Sequence, residues 1–305
     1  MTIKNSLICG RKYGISITYP YWGTISNSTI RVNQNTTEND CVGISYIATS
    51  YTNLTTVIDS CVFDVLSSKN TDPSYGVRAV EFFGTSTGNT NFIVKNNIIS
   101  SQNWVLQSTA SEVAYSAIRL GSANFNYYIL NNSINMCNQT TSLTGNLPAS
   151  KCYILGLTSS SFTGKAIIKN NIFRTSHPGM AVIYKLGSGG SFISDNNVIY
   201  TENNALLGQL TTQQVSTLSQ WQTLSGCDIN SQFIDPLSTS PGSWISTTDL
   251  HFSGSAETPA IQPVNRLDEC VFDFDGETRE ISCWPGADEV LGCTVPISLS
   301  DFLTE

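Results

Sequence analysis

Residues 93–99, Ile-Val-Lys-Asn-Asn-Ile-Ile, set a pair of asparagines between two short apolar runs, and this arrangement returns along the chain. The other copies are Ile3-Lys4-Asn5-Ser6-Leu7-Ile8, Ile25-Ser26-Asn27-Ser28-Thr29-Ile30, Val57-Ile58-Asp59-Ser60-Cys61-Val62, Tyr128-Ile129-Leu130-Asn131-Asn132-Ser133-Ile134, Ile167-Ile168-Lys169-Asn170-Asn171-Ile172-Phe173 and Phe192-Ile193-Ser194-Asp195-Asn196-Asn197-Val198-Ile199. Marked by a polar residue of each bend, they stand at 5, 27, 59, 96, 131, 170 and 196, separated by 22, 32, 37, 35, 39 and 26 residues. A motif that keeps its form while its spacing varies is a repeat with loops of variable length. Between the copies lies a second apolar pattern: Gly14-Ile15-Ser16-Ile17, Gly43-Ile44-Ser45-Tyr46-Ile47, Gly76-Val77-Arg78-Ala79-Val80, Ser116-Ala117-Ile118-Arg119-Leu120, Tyr153-Ile154-Leu155 and Ala181-Val182-Ile183-Tyr184. Short β-branched runs bounded by polar bends read as strands, so each repeat holds three of them.

Asparagine suits such a bend for two reasons. It tolerates left-handed backbone angles, and its amide can bond to the amide of the next coil, about 4.8 Å away in a stacked parallel sheet. The bends are therefore expected to form an asparagine ladder. A two-layer sandwich would instead turn every 8 to 12 residues or so without repeating one bend. The arrangement resembles the right-handed parallel β-helix of the pectate-lyase-like superfamily, which implies an all-β fold with seven coils over residues 1–204.

After Tyr200 the pattern stops. Residues 211–224 start with Thr, contain no Gly or Pro, and carry Val215, Leu218, Trp221 and Leu224 three apart. That spacing predicts a short amphipathic helix, able to plug the open end of the stack. Trp221, Gly226-Cys227-Asp228-Ile229-Asn230-Ser231, Phe233-Ile234-Asp235-Pro236, Asp249-Leu250-His251-Phe252, Thr258-Pro259-Ala260-Ile261, Asp273-Phe274-Asp275-Gly276-Glu277-Thr278-Arg279 and Gly286-Ala287-Asp288-Glu289 then follow in order. This run resembles the C-terminal segment of secreted bacterial right-handed β-helix repeat proteins, and it implies a cap and closing segment over 205–290. Glu257-Thr258 stands where that family has a tighter Ser-Pro, and Cys270, Cys283 and Trp284 are additions. Residues 291–305, with Val295-Pro296-Ile297-Ser298-Leu299-Ser300-Asp301-Phe302, resemble a linker and the opening strand of the β-sandwich that precedes the sorting tail in type IX-secreted proteins of the Bacteroidetes kind. Met1 runs directly into the strand-like Thr2–Ile8 with no signal peptide, which reads as one piece of a longer exported protein.

Composition narrows the function classes. Of 305 residues, 15 are Lys or Arg and 23 are Asp or Glu, giving a net charge of −8. The sequence pI near 4.7 argues against nucleic acid or an anionic membrane as partner, since both need a basic face. No apolar run approaches the roughly 20 residues of a membrane-spanning helix. The nine cysteines lack close C-x2-C spacing, which argues against a thiolate metal site. Cys137/Cys152 and Cys270/Cys283 bracket polar segments as loop-closing disulfides would, whereas Cys9 and Cys61 lie in apolar strand patterns as buried thiols.

Stacked coils bring matching strand positions into columns. Aligning the second pattern on a buried Ile or Val puts Ser16, Ser45, Arg78, Arg119, Leu155 and Tyr184 in one outward column, with Lys185 beside its end. Arg78 and Arg119 are then neighbours that repel unless an anion or a carboxylate lies between them. One reading is a groove for uronic acids, with Tyr184 as a stacking platform; the other is that Glu81 neutralises the pair. Lyase chemistry needs a cation to neutralise the uronate carboxyl and a base, with calcium a common helper, and no Asp cluster accompanies these arginines. Hydrolysis needs convergent carboxylates, and within residues 1–204 most acids fall in different loops, Asp64 with Asp72 being a weak signal. His177 and His251 read as structural. Asp273-x-Asp275-Gly276 has the flavour of a calcium loop but lacks further ligands at fixed offsets; a salt bridge from Arg279 to Asp275 or Glu289 is the simpler reading. No cofactor is otherwise expected. The chain is thus expected to be a non-catalytic secreted or cell-surface β-helix module, structural or glycan-binding, whose partners are extracellular polysaccharide and other domains of its own polypeptide. The alternative is a polysaccharide lyase or glycoside hydrolase acting on acidic polysaccharide.

Overall fold

A computed structural model describes residues 1–18, 23–34, 40–49, 53–67, 76–85, 90–100, 114–136, 152–177, 179–202, 205–237, 243–252 and 261–289. They form a right-handed parallel β-helix with three strands per coil. The first sheet stacks Thr2–Lys4, Gly23–Ser26, Thr55–Asp59, Asn91–Lys95, Asn126–Leu130, Lys165–Lys169 and Ser191–Asp195. The second stacks Leu7–Gly10, Thr29–Gln34, Val62–Ser67, Ile98–Ser100, Ser133–Met136, Ile172–Thr175 and Val198–Thr201. The third runs Tyr13–Ile17, Cys41–Thr49, Gly76–Thr85, Ala114–Leu120, Cys152–Leu157, Ala181–Lys185 and Leu206–Leu210. Seven coils thus reach Leu210 rather than residue 204, because the third strand of the last coil is Leu206–Leu210. An antiparallel strand, Gln213–Val215, closes that sheet.

Register explains the core. Ile8, Ile30, Phe63, Ile99, Ile134, Phe173 and Ile199 stand opposite one another in the second sheet, one per coil. In the first sheet Ile3, Ile25, Ile58, Val94, Ile129 and Ile168 do the same, and the row ends at Ser194. Burying each such side chain contributes about 1.5–3 kcal/mol. Aromatic rings fill the middle of the stack, with Phe82 and Phe92 centroids 4.3 Å apart and Tyr127 stacked on Phe162 at 6.2 Å.

Between the first and second sheets the chain turns at the repeated bend, and the two virtues expected of one asparagine are divided between two residues. Asn5, Asn27, Ser60, Asn96, Asn131, Asn170 and Asn196 adopt positive φ between 48° and 58°. In the third coil the left-handed residue is therefore Ser60; Asp59 is still in the strand, opposite Lys95. The ladder belongs to the following residue. Nδ2 of Asn97, Asn132 and Asn171 donates to Oδ1 of Asn132, Asn171 and Asn197 at 2.9, 3.0 and 3.0 Å. Each acceptor oxygen also takes the previous asparagine's backbone N–H at 2.9–3.1 Å. All four ladder asparagines are fully buried.

The stack ends in a plug. The helix spans Leu218–Ser225, begins after Thr217, whose hydroxyl accepts from Gln220 N, and stops at left-handed Gly226. Its one fully buried side chain, Trp221, lies on Gly208, where a Cβ would meet the indole at 2.4 Å. Beyond the helix the described segments do more than cap the end. Trp244, Leu250, Phe252, Ile261 and Ala287 pack on the outward side chains Ile98, Ile172 and Val198 of the second sheet. Main-chain contacts pin this strap to the bends: Asn96 Nδ2 donates to Phe272 O, Asn170 Nδ2 to Asn265 O, and Gly286 N to Asn170 O, at 3.0, 2.9 and 2.7 Å. Fully buried Arg279 binds the carbonyls of Gly286 and Ala287 at 2.8 and 2.7 Å and Glu289 at 3.4 Å, which is one of the salt bridges expected for it.

Candidate functional site

Ser16, Ser45, Glu81, Arg119, Gly156, Tyr184 and Gln209 form one row across the third sheet. Arg78 belongs to a second row, opposite Val42, Ser116 and, beyond it, Tyr153. The expected column therefore slips by three residues at Arg78 and by one at Leu155. The cause is a bend in the strand Gly76–Thr85. Ala79 and Val80, adjacent in sequence, both enter the core, so Val77 and Val80 are equally good apolar anchors and the outward positions fall at 78 and 81.

The bend sets Glu81 between the arginines. Arg78 Nη1 lies 3.1 Å from Glu81 Oε2 and 3.1 Å from Asp40 Oδ1, while Ser45 Oγ donates to Glu81 Oε1 at 2.8 Å. Arg78 and Glu81 are each only 5% exposed, so this pair is a desolvated ion pair rather than a surface one. Arg119 lies with its guanidinium 4.3 Å above the Phe83 ring. Burial weakens its hold on its proton; the Tyr153 phenol works against that, and Arg78 adds to it by repulsion. Nε of both arginines is buried with no hydrogen-bond partner.

Tyr184 and Lys185 have other surroundings than expected. Tyr184 is 3% exposed and stacked on Tyr153 with ring centroids 5.4 Å apart, which removes it as an exposed platform for a sugar. The Tyr153 ring leans over Gly156, where a Cβ would meet it at 2.3 Å, and burial pushes its phenol up to about 12. Lys185 continues the row of Leu120 and Leu157, two core residues, not the outward row. Its ammonium binds the carbonyls of Gly187 and Gly189, and burial lowers its pKa.

Asp40, Phe83 and Tyr153 were not foreseen as members of this face. Tyr153 opens a strand pattern and falls in the row of Arg78 and Ser116 once Leu155 is the anchor; Asp40 precedes its strand, where the pattern carries no signal. Elsewhere, Asp64 pairs with Arg31 at 2.8 Å, and Asp72 lies outside the described residues. Asp273 Oδ1 accepts from the backbone of Asp275 and Glu277 at 3.1 and 2.8 Å, the bonding of a turn. Among the described residues no three His, Cys, Asp or Glu side chains are placed to hold a metal. His251 bonds through Nδ1 to the Asp249 carboxylate at 2.5 Å, and His177 is buried with its backbone N–H held by Thr175 Oγ1. Cys270 and Cys283 are separate buried thiols, not a disulfide. Cys61 is buried as expected and Cys9 is exposed. Cys137 and residues 291–305 lie outside the described residues.

The chemistry this face can perform is limited by its pairing. A carboxylate held between a guanidinium and a hydroxyl is a poor general base, and a guanidinium between two carboxylates is a poor anion clamp. Comparison of the chain with protein-family models, with curated proteins and with solved structures finds no match.

Proposed function

We propose that the chain is a non-catalytic extracellular β-helix module, serving as a rigid structural segment of a larger secreted or surface-bound protein. The observation that carries this reading is the closed ion-pair set Asp40–Arg78–Glu81–Ser45 on the outward rows of the third sheet. Groups kept for substrate would lie open to solvent with their charge uncompensated; here Ser45, Arg78 and Glu81 are buried, Asp40 is partly so, and they answer one another. The segment from Trp221 to Glu289 resembles the closing segment of secreted bacterial β-helix proteins of the pectate-lyase-like kind, which supports export, and residues 295–302 resemble the start of a type IX-secreted sandwich.

The test is product release from a panel of polyuronates and neutral polysaccharides. A scaffold releases neither unsaturated nor reducing products, and Arg119→Ala leaves that result and the thermal unfolding unchanged. Steady release of unsaturated product by the wild type, abolished by Arg119→Ala in a protein that unfolds at the same temperature, would replace this reading with a polyuronate lyase.

A further inference from the structure

The strap does not lie flush against the coils everywhere. Between Glu269–Gly276 and the bends of the second to fourth coils runs a groove of about 550 Å3, walled by Asn27, Asp59, Lys95, Phe272, Asp273 and Asp275. A second hollow of about 330 Å3 shares Asn27, Ser60, Phe274 and Asp275 with it and continues over Ser28 and Thr29. Together they make an elongated trough across successive coils, on a different wall of the solenoid from the Arg78 row.

Three kinds of group meet there. Phe272 is anchored by its carbonyl, which accepts from Asn96 Nδ2 at 3.0 Å, yet the residue is 55% exposed on the groove wall. Asp59, Glu269, Asp273 and Asp275 line the groove with one lysine, Lys95, which is already held by Glu269 O at 2.5 Å and Asp59 Oδ2 at 3.4 Å, while Asp275 Oδ2 lies 3.8 Å from His251 Nε2 on its other side. Asp273 is 2% exposed, and its Oδ2 is buried without a hydrogen bond. Such an oxygen is rare in folded proteins and calls for a donor. Finally, Asn27, Ser28, Thr29 and Ser60 supply amides and hydroxyls able both to donate and to accept.

We propose that this trough binds a polysaccharide bearing free amino groups, that is, unacetylated hexosamine units. The apolar face of a pyranose ring covers Phe272 and its hydroxyls exchange hydrogen bonds with the amide and hydroxyl side chains. Its ammonium groups are drawn to Asp275 and Glu269 by charge-assisted bonds, to the buried Asp273 carboxylate by its field, and to the aromatic ring. A polyuronate is repelled by the same carboxylates. An elongated trough suits a polymer better than a free ion. The site adds to the proposed scaffold role and does not depend on it, since a glycan can bind here whether or not the module cleaves one.

Titration calorimetry of the whole chain at about pH 6.5 with a glucosamine oligomer tests the proposal, because hexosamine ammonium groups and surface carboxylates are then both charged. The oligomer is expected to bind saturably, and Phe272→Ala and Asp275→Asn are each expected to weaken it about tenfold or more. Both side chains are largely exposed, so unchanged thermal unfolding shows that the variants fold; Arg119→Ala, on the other wall, should bind as the wild type does. Rising salt should weaken the complex. Four results would overturn the proposal. They are no saturable binding, binding indifferent to Phe272→Ala, equal or tighter binding of the N-acetylated or galacturonate oligomer, and equal binding of oligolysine with the same dependence on Phe272. Failure here leaves the scaffold reading intact, because that reading stands on product release from a different panel.

Discussion

Asn132 gives the sharpest test of what holds the solenoid together. Its Oδ1 accepts from Asn97 N and Nδ2 at 3.1 and 2.9 Å, and its Nδ2 donates to Val94 O, Leu130 O and Asn171 Oδ1 at 2.9, 3.1 and 3.0 Å. Asn132→Ala strands two N–H groups of Asn97 in the dry interior, while Asn171 Oδ1 keeps the backbone N–H of residue 132. Each buried donor left unpaired costs about 1–3 kcal/mol, so the variant is expected to lose about 4 kcal/mol, well beyond an ordinary point mutation. Its neighbour makes the control. Asn131 has φ 50° and both side-chain polar atoms are buried without a partner, so Asn131→Gly removes backbone strain and an unsatisfied amide together. Glycine's extra freedom in the unfolded chain offsets part of that, leaving a gain of about 1 kcal/mol. Urea unfolding followed by tryptophan fluorescence measures both through the midpoint, provided the slope stays constant. A loss under about 1 kcal/mol for Asn132→Ala, or equal losses for the two variants, would refute the division of labour between bend and ladder.

Two more outcomes follow from the strap and the first coil. Burial pushes Asp288 up to about 6 even though its Oδ2 accepts from Phe252 N at 2.9 Å; a carboxyl raised in the folded state contributes most below about pH 4 and loses that contribution as pH rises through 6. His251 shifts in the same sense: burial alone would lower it, but the Asp249 hydrogen bond and the charges of Asp288 and Asp275 outweigh that, so its contribution fades as pH rises through its raised value. The protein should therefore be about 1 kcal/mol more stable at about pH 5.5 than at about pH 8 on account of Asp288, and thermal scans of Asp288→Asn should show that difference reduced. In hydrogen exchange, amides of Leu7–Gly10 should exchange through local opening well before those of Ile172–Thr175, because Leu7 is 64% exposed whereas Ile172 is covered by the strap. Equal protection of the two strands would remove the strap as the source of the gradient.

The bends were legible because two constraints, positive φ and a buried amide, admit few residue types, and Asn meets both. Ser60 and Cys61 show the limit. Where the pair was Asp-Ser-Cys, the polar marker fell one residue early, since serine can also occupy the left-handed position once its neighbours hold it there. The third sheet was legible as strands but not in register, because a bent strand presents two apolar anchors three residues apart and a sequence pattern cannot choose between Val77 and Val80. The spacing predicts a helix over 211–224 and the helix occupies 218–225, since Gln213–Val215 finds a strand partner in Gly208–Leu210. Least legible was the strap. Asn96, Asn170 and Arg279 hold it through carbonyls of Phe272, Asn265, Gly286 and Ala287, and every residue type offers a carbonyl.

Direction in the ladder accounts for the residues at its two ends. Every amide passes its Nδ2 hydrogen toward the C-terminal coil, so the row needs a last member that accepts and does not donate. Asp228 is that member. Its Oδ1 receives Asn197 Nδ2, Ser194 Oγ and Ser231 Oγ at 3.0, 3.0 and 2.6 Å, and its Oδ2 receives Trp221 Nε1 at 2.8 Å. Four donors on a fully buried carboxylate offset its desolvation, and an asparagine there would point an N–H at another donor. At the other end the first ladder oxygen, on Asn97, accepts from the backbone of Cys61, whose own thiol turns to the carbonyls of Ile25 and Asp59. No amide is needed beyond that point, and Ser28 serves the second coil by bonding Ser6 N and Ser26 O. The chain of Ser28, Cys61, four asparagines and Asp228 is therefore ordered by proton direction. The plug and the ladder are one device, since the indole that closes the apolar core also completes the acceptor that ends the polar row.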